Sequence, residues 1–301
     1  MLLSLFSNNL LPIFLAAAAG FALGRLLHPD PRTISRLTFF VFSPCLVFKL
    51  LTDNDLGGAD VLGMFLVAVL VAVLTGLIAL AVGRLLRLPR PLLAALVLSA
   101  MFGNAGNYGL SLNLFAFGEE GLAFASIYFV ASGLMVYTFG IIVASMGNVD
   151  LRKSILNLFR FPTLYAVLLA LGFNALGGET PLPLTRTIDL FADAAIPTML
   201  ILLGLQLERV EWRGRLRALA AANVLRLLVS PLIALGLALA LRLQGPAFQA
   251  GIAESAMPTA VMVTVLATEF DVEPSFTTAV VTTTTLLSPL TLTPLLAFLI
   301  G

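Results

Sequence analysis

The sequence predicts an all-α integral membrane protein in which ten helices cross the bilayer. Three observations lead to this prediction: a very apolar composition, ten apolar segments long enough to span, and an alternation of basic and non-basic loops. Of the 301 residues, 59% are hydrophobic and 11% are charged, and the mean hydropathy is +1.04. Soluble domains carry about 25% charged residues. The composition therefore argues against a soluble enzyme, a disordered chain and a nucleic-acid-binding protein.

Ten apolar segments follow one another along the chain, each close to the about 20 residues that a membrane helix needs. The connections between them are too short to hold a soluble domain. The segments, numbered in chain order, are residues 6–27, 34–52, 61–83, 91–116, 121–146, 161–178, 186–206, 215–241, 246–268 and 275–300.

Basic residues are concentrated in alternate loops, which predicts the orientation of the chain. Of the 17 Lys and Arg residues, three lie in or beside each of loops 1–2, 3–4 and 5–6, and four in loop 7–8. The opposite loops hold only Arg186 and Arg242, apart from Lys49 near the outer end of segment 2. Because basic loops stay in the cytoplasm, we expect a multi-pass protein of the cytoplasmic membrane with both termini outside.

Matching tripeptides indicate an internal repeat. The Ser-Ala-Met at residues 99–101 of segment 4 recurs at residues 255–257 of segment 9. Each half of the chain has five segments, and five is odd, so the second half begins on the opposite side of the bilayer and the repeat is inverted. The predicted halves are residues 1–146 and 161–301, joined by a cytoplasmic connector at 147–160.

Segments 4 and 9 hold the least membrane-like residues and are predicted to be broken helices. Gly and Asn in mid-span weaken segment 4, and Pro258 in segment 9 removes a backbone N–H and is expected to free the carbonyl of Glu254. Freed backbone is tolerated in a membrane only where it is buried in protein or lines a cavity. Helix N-termini at such breaks attract anions, and free carbonyls hold cations. The predicted substrate-binding residues are Gly103, Asn104, Asn107, Met257, Pro258 and Thr259.

Two plainer interpretations of the breaks stay open from sequence alone. Gly103, Gly106 and Gly109 recur every three residues, which is also the spacing of a smooth face for close helix packing. Pro258 could produce a simple kink. Packing alone does not account for two Asn residues at membrane depth.

Charged residues inside the apolar segments are further functional candidates, because a charge is costly there. Glu254 is predicted to bind the coupling ion, H⁺ or Na⁺. The alternatives are a carboxyl kept neutral by burial or one paired with Arg226. A structural ion pair is predicted between Lys49 of segment 2 and the two carboxylates Asp189 and Asp193 of segment 7.

The residues that catalysis or metal binding would need are scarce. The chain has one Cys, Cys45, and one His, His28. An intramolecular disulfide and a Cys/His metal cluster are therefore excluded, and we predict neither enzymatic activity nor a cofactor other than the coupling ion. A channel would not need two broken helices in inverted halves, so a transporter is favoured.

The motifs at the breaks resemble those of the auxin efflux carrier family. The resemblance covers essentially the whole chain and rests on residues 103–110, 256–258, 196–197 and 203–205. Ser111 departs from the family pattern, in which a Pro follows the Gly-Leu pair. The resemblance implies a ten-helix inverted-repeat fold like that of bile acid sodium symporters and sodium/proton antiporters.

The resemblance also implies an elevator-like motion. Segments 1, 2, 6 and 7 would form a scaffold, often dimeric, and segments 3–5 and 8–10 a mobile transport domain. The predicted function is secondary transport of a small organic anion, an auxin-like carboxylate or a dicarboxylate. The expected partners are this anion, the lipid bilayer and a second copy of the chain, with no nucleic acid. A sodium-coupled symporter of the bile-acid type is the alternative.

Overall fold

A computed structural model describes residues 1–54, 56, 58–145, 162–176, 180–207 and 215–301, and this part of the chain is helical without any β-strand. The predicted connector at 147–160 lies outside the described residues. The helices are numbered α1 (Leu2–Leu27), α2 (Pro31–Asp53), α3 (Gly58–Leu85), α4 (Arg90–Met101), α5 (Ala105–Ala144), α6 (Pro162–Ala175), α7 (Leu182–Leu207), α8 (Leu216–Ala240), α9 (Gly245–Ser255), α10 (Met262–Glu269) and α11 (Pro274–Ile300).

Seven of these helices are long and apolar enough to cross a membrane: α1, α2, α3, α5, α7, α8 and α11. Large apolar side chains also point outward, such as Leu77 on α3, Leu232 on α8 and Leu290 on α11. An apolar surface is unfavourable in water and suits contact with lipid. The chain is therefore an all-α, multi-pass membrane protein.

The turn from α1 to α2 shows how local chemistry sets a helix boundary. His28 ends α1 in the left-handed region, at φ 47°. The Asp30 carboxylate then accepts hydrogen bonds from the backbone N–H of Arg32 (3.1 Å) and from the hydroxyl of Thr33 (2.9 Å), which caps the first turn of α2. The Thr33 hydroxyl, followed by the Arg32 N–H, holds the pKa of Asp30 below its usual range.

Helices α1, α2, α6 and α7 pack together as one group. Gly20 of α1 and Gly204 of α7 allow their two backbones to touch: a Cβ at Gly204 would lie 2.7 Å from the amide nitrogen of Phe21. Asn174 of α6 donates a hydrogen bond to the carbonyl of Leu51 on α2, at 2.8 Å. Close backbone contact through small residues is the usual way for helices to associate in lipid.

The predicted ion pair between segments 2 and 7 is confirmed. Lys49 Nζ lies 3.4 Å from Asp189 Oδ1 and 3.1 Å from Asp193 Oδ1. The rings of Phe42 and Phe191 stack between the same helices with centroids 6.0 Å apart. These contacts tie α2 to α7.

Both predicted helix breaks are present among the remaining helices. Segment 4 divides into α4, which ends at Met101, and the first part of α5, which begins at Ala105. Segment 9 divides into α9, ending at Ser255, and α10, beginning at Met262. The long helix α5 contains a non-helical residue, Gly118 (φ 71°, ψ −163°), that separates segment 4 from segment 5.

Candidate functional site

The two helix breaks pair with each other, and residues 102–104 and 256–261 together are called the crossing below. Gly103 and Thr259 form an antiparallel backbone bridge. The Asn104 N–H donates to the carbonyl of Pro258 at 2.7 Å, and the Ala260 N–H donates to that of Phe102 at 2.9 Å. Backbone groups that the breaks release thus satisfy one another, as an apolar environment requires.

Thr259 links the crossing to its neighbours. Its N–H donates to Thr284 Oγ1 of α11 at 3.1 Å, and its hydroxyl donates to the carbonyl of Ser99 of α4 at 2.8 Å. Thr284 also donates to the carbonyl of Val280 in its own helix, at 2.7 Å. The crossing is therefore held by side chains as well as by its own backbone.

The prediction that Pro258 frees the carbonyl of Glu254 is wrong. The chain turns tightly after α9, and the Met257 N–H reaches back to that carbonyl at 3.2 Å. The carbonyls released by the break belong instead to Ser255 and Met257, and both are taken by Arg226.

Arg226 of α8 binds the C-terminal ends of both α4 and α9. Its Nε donates to the carbonyl of Met257 (2.8 Å), and its Nη1 to those of Ala100 (3.1 Å) and Met101 (3.4 Å). Its Nη2 donates to the carbonyl of Ser255. The side chain is 1% exposed. Carbonyls in the last turn of a helix lack hydrogen-bond donors within the helix. Here one guanidinium provides donors for the carbonyls at the ends of two helices.

Asn104 and Asn107 begin the first turn of α5 and carry unpartnered amide atoms. Asn104 Oδ1 accepts the N–H of Asn107 at 3.2 Å and so caps this helix. That bond leaves Asn104 Nδ2 buried and without a partner, and Asn107 Oδ1 is in the same condition. Buried polar atoms are nearly always hydrogen-bonded. This amide donor and this amide acceptor are therefore available to bind a ligand.

A cavity of about 100 Å³ lies beside this turn. Three predicted site residues line it, namely Gly103, Asn104 and Asn107. Ser35 and Phe39 of α2 and Gln206 of α7 line it as well. The cavity thus lies between the α1, α2, α6 and α7 group and the crossing.

The other three predicted residues, Met257, Pro258 and Thr259, do not line this cavity. Their backbones are occupied by the contacts to Arg226, Asn104 and Gly103 described above. The cavity is lined instead by the residues that follow them, Ala260 and Val261 of the crossing and Met262 at the start of α10. All six predicted residues therefore lie close together. Three line the cavity, and the other three form the backbone contacts of the crossing beside it.

Glu254 of α9 is completely buried against α5 and does not line the cavity. Its Oε1 accepts a hydrogen bond from Asn113 Nδ2 at 2.9 Å, while its Oε2 has no partner. The alternative pairing with Arg226 is not found: both residues are described, and no ion pair within 4.0 Å joins them. A fully buried carboxyl with one unpartnered oxygen is suited to bind a proton or a cation.

The three glycines of segment 4 make room for side chains rather than for a neighbouring helix backbone. A Cβ would lie 2.8 Å from Arg226 Nη2 at Gly103, 2.9 Å from the Phe129 ring at Gly106 and 2.6 Å from the carboxyl carbon of Glu254 at Gly109. The glycines therefore do allow close packing, but what packs against them is a guanidinium, an aromatic ring and a carboxyl rather than a second helix backbone.

Replacing Gly109 with alanine is expected to lower the stability of the protein by about 1–3 kcal/mol, the usual cost of overpacking. The new methyl group would overlap the Glu254 carboxyl and displace it from Asn113. Thermal unfolding of the purified protein in detergent measures the effect. Gly236→Ala on α8 is the matched control, because nothing lies within 4 Å of its Cβ position and alanine favours a helix. Equal melting temperatures for the two variants would show that the carboxyl is not held against Gly109.

Comparison with known proteins identifies the family. A profile of the family described as membrane transport protein matches residues 5–296. The chain belongs to this family. The match confirms the resemblance to auxin efflux carriers. An uncharacterized transporter of Methanothermobacter thermautotrophicus is 30% identical over 267 residues, 88% of each chain, and one of Methanocaldococcus jannaschii is 25% identical over 257 residues, 83% of each chain.

Family membership makes this chain a membrane transport protein. Sequence reasoning missed two residues of its site, Asn113 and Gln206, and named Arg226 only as a possible partner of Glu254. Asn113 is a third Asn in segment 4, and Arg226 is a cation near the middle of segment 8, so their polarity at membrane depth was a usable signal. Gln206 is the last residue of segment 7 and precedes a loop. A polar residue is common at such a position, so it gave no signal of a site.

Proposed function

We propose that this membrane transport protein is a secondary transporter of a small organic anion, an auxin-like carboxylate or a dicarboxylate, and that the anion binds in the cavity beside the crossing. The observation that carries the proposal is the buried, unpartnered amide donor of Asn104. It lies at the N-terminus of α5, where the helix dipole favours negative charge. A carboxylate would supply the acceptor that the amide lacks.

The size of the cavity favours a compact substrate. Sites for drug-sized ligands have volumes of about 300–1,000 Å³, whereas this cavity has about 100 Å³. A substrate of a few carbon atoms fits such a space more easily than one with a large ring system. Among the predicted substrates, a short dicarboxylate is thus favoured over an auxin-like molecule in this conformation.

The proposed architecture is ten crossings in two inverted five-helix repeats, residues 1–146 and 161–301. Two observations support it. At about 1.5 Å per residue, the 40 residues of α5 exceed one bilayer core of about 30 Å, and Gly118 divides them. The breaks of segments 4 and 9 also lie at corresponding places in the two halves and pair antiparallel.

The two helix groups support the proposal of an elevator-type mechanism. The scaffold would be α1, α2, α6 and α7, and the transport domain α3–α5 with α8–α11. Support comes from the close packing within the first group and from the cavity, whose walls belong to both groups. Sliding of one group along the other would carry the crossing, with its bound anion, from one side of the bilayer to the other.

A homodimer through the scaffold helices completes the proposal. Asp193 of α7 keeps 74% of its side chain exposed although it lies well inside an apolar helix, and Leu190 is also exposed nearby. A charged group facing lipid is costly, so cover by a second copy would stabilise this face.

Both termini are expected to lie outside the cytoplasmic membrane, and cysteine labelling tests this. In a Cys45→Ala background, Lys153→Cys should not react with a membrane-impermeant maleimide added to intact cells. The exposed Gln244, between α8 and α9, lies on the predicted outer side and provides the control variant Gln244→Cys, which should react. Reversed labelling of the two variants would show that the orientation is the opposite one.

A ligand-stabilisation screen tests the proposed substrate class. The purified protein is heated with mono- and dicarboxylates, including malonate, malate and indole-3-acetate, each with and without sodium and at two pH values. A ligand at about 100 times its Kd adds roughly 2.7 kcal/mol to the stability of the state that it binds, which gives a clear rise in melting temperature. Counterflow in proteoliposomes then shows whether a stabilising anion is transported. The absence of stabilisation by every one of these carboxylates, under all the conditions, would contradict the proposal.

A further inference from the structure

The position of Arg226 bears on which ions the protein uses. Four carbonyls, those of Ala100, Met101, Ser255 and Met257, converge at the ends of α4 and α9 and accept hydrogen bonds from one guanidinium. Convergent backbone carbonyls at broken helices are the ligands that a hard monovalent cation would need. In this chain they already have a cationic partner.

The charges at this place balance without any added ion. Each helix C-terminus carries roughly half a negative charge, so α4 and α9 together present about one. A single guanidinium, which stays protonated in proteins, offsets both. A metal cation bound to the same carbonyls would have to displace the N–H donors and would be repelled by the guanidinium.

Neighbouring residues fit the guanidinium closely. Gly103 has no Cβ, and one placed there would lie 2.8 Å from Arg226 Nη2. Ser230 of α8, one turn after Arg226, donates its hydroxyl to the carbonyl of Ser255 at 2.8 Å. The backbone of the crossing is thus arranged around an arginine side chain, and the carbonyl of Ser255 has two donors and no free site.

We propose that Arg226 is the resident cation of the crossing, that a metal cation therefore finds no free carbonyl ligands there or beside Glu254, and that transport is independent of Na⁺ and K⁺. The part of this inference that concerns transport rests on the proposed function, whereas the part that concerns binding does not. It decides between the two coupling ions considered for Glu254, in favour of the proton.

Cation dependence of stability tests the proposal on the wild-type protein. The melting temperature is measured in NaCl, KCl and choline chloride at equal ionic strength, without substrate and with the anion found by the screen. We expect the three values to coincide in each case. A saturable rise that is specific for Na⁺ or K⁺ would overturn the proposal, whether or not any anion is transported.

A pair of variants tests the charge of Arg226. Arg226→Gln keeps a long polar side chain but removes the charge, and Arg226→Lys keeps the charge with a different shape. Because removing one member of a buried charged group that has several partners is strongly destabilising, the Gln variant should melt roughly 5–15 °C below wild type, and the Lys variant between the two. If the Gln variant is at least as stable as the Lys variant in choline chloride, the charge at this place is unimportant and the proposal fails.

The exposed Arg84 of α3 provides the control Arg84→Gln, which should melt as wild type does. Failure of the resident-cation proposal and failure of the transport function are distinguishable. Coincident melting temperatures with no transported anion would leave Arg226 as the resident cation and refute the transport proposal. Anion transport that requires Na⁺ would support the transport function and refute the role of Arg226.

Discussion

Replacing Asn104 with alanine is expected to lower the initial rate of organic-anion transport at least about tenfold. A hydrogen bond to a charged group contributes about 1.5–3 kcal/mol, which corresponds to roughly 10–150-fold in binding or rate. Asn104 Nδ2 is a buried donor beside the cavity without a protein partner, so its hydrogen bond is available to the substrate and is lost in the alanine variant. Uptake of the anion identified by the stabilisation screen, measured in proteoliposomes, gives the rate.

The same side chain also caps α5, and a second variant separates the two roles. Asn104→Ala should cost about 1 kcal/mol of stability as a lost cap. Asn104→Asp keeps an oxygen for the N–H of Asn107, so we expect it to fold as wild type. Its carboxylate would repel the anion, and we expect transport to fall at least as far as in the alanine variant.

Asn223 provides the matched control for the asparagine variants. It donates to the carbonyl of Leu219 at 2.8 Å and to Thr283 Oγ1 at 3.0 Å, and it does not line the cavity. Asn223→Ala should leave the transport rate within about twofold of wild type, since it touches no substrate. Wild-type transport by a folded Asn104→Asp variant would place the anion site elsewhere.

Replacing Glu254 with glutamine is expected to remove the ion dependence of transport while exchange of substrate continues. The carboxyl is 0% exposed and has one unpartnered oxygen, so an ionised form would need a proton or cation to offset the cost of burial. Glutamine mimics the protonated form at nearly the same volume. If the ion binds more tightly when substrate is present, the two fluxes are linked by a reciprocal coupling energy, and the variant loses this link.

Proteoliposomes with imposed gradients measure this effect. A pH gradient should drive uptake by the wild type and not by Glu254→Gln, while a sodium gradient should drive neither. Glu120→Gln, at an exposed position beside Gly118, is the control and should behave as wild type. If the wild type ignores both gradients, the protein is a uniporter and Glu254 has no coupling role. If the variant keeps the full response, another residue couples, and Asp193 is the next candidate.

Local sequence patterns were sufficient to predict the helix breaks and part of the site. Gly and Asn in segment 4, and Pro258 in segment 9, oppose helix geometry through their own backbone and side-chain chemistry. That chemistry acts within a few residues, so both breaks appear where they were predicted. Asn104 and Asn107 were selected for their polarity at membrane depth, and their placement at the cavity follows from the same break.

Local patterns could not predict which donors bind the backbone carbonyls at the break in segment 9. The rule that a proline frees the carbonyl four residues earlier assumes that a helix continues on both sides. After Ser255 the helix ends, and a tight turn gives the carbonyl of Glu254 to Met257 instead. The same turn places residues 257–259 away from the cavity, where they form the backbone contacts of the crossing. The error came from treating a helix end as a kink.

The sequence by itself determined that this is an all-α membrane protein of the auxin efflux carrier family, where its helices break, and which charged residues tie α2 to α7. Composition and the length of the apolar segments carry the membrane class, because lipid imposes the same demand on every span, whereas the family follows from the motifs that resemble it. Only the tertiary structure decided which groups the buried charges contact. Arg226 bonds to a carbonyl 126 residues away, and Glu254 to an amide 141 residues away. No local pattern encodes such pairings, because they depend on the way that separate helices approach one another and on glycines that admit a side chain from elsewhere.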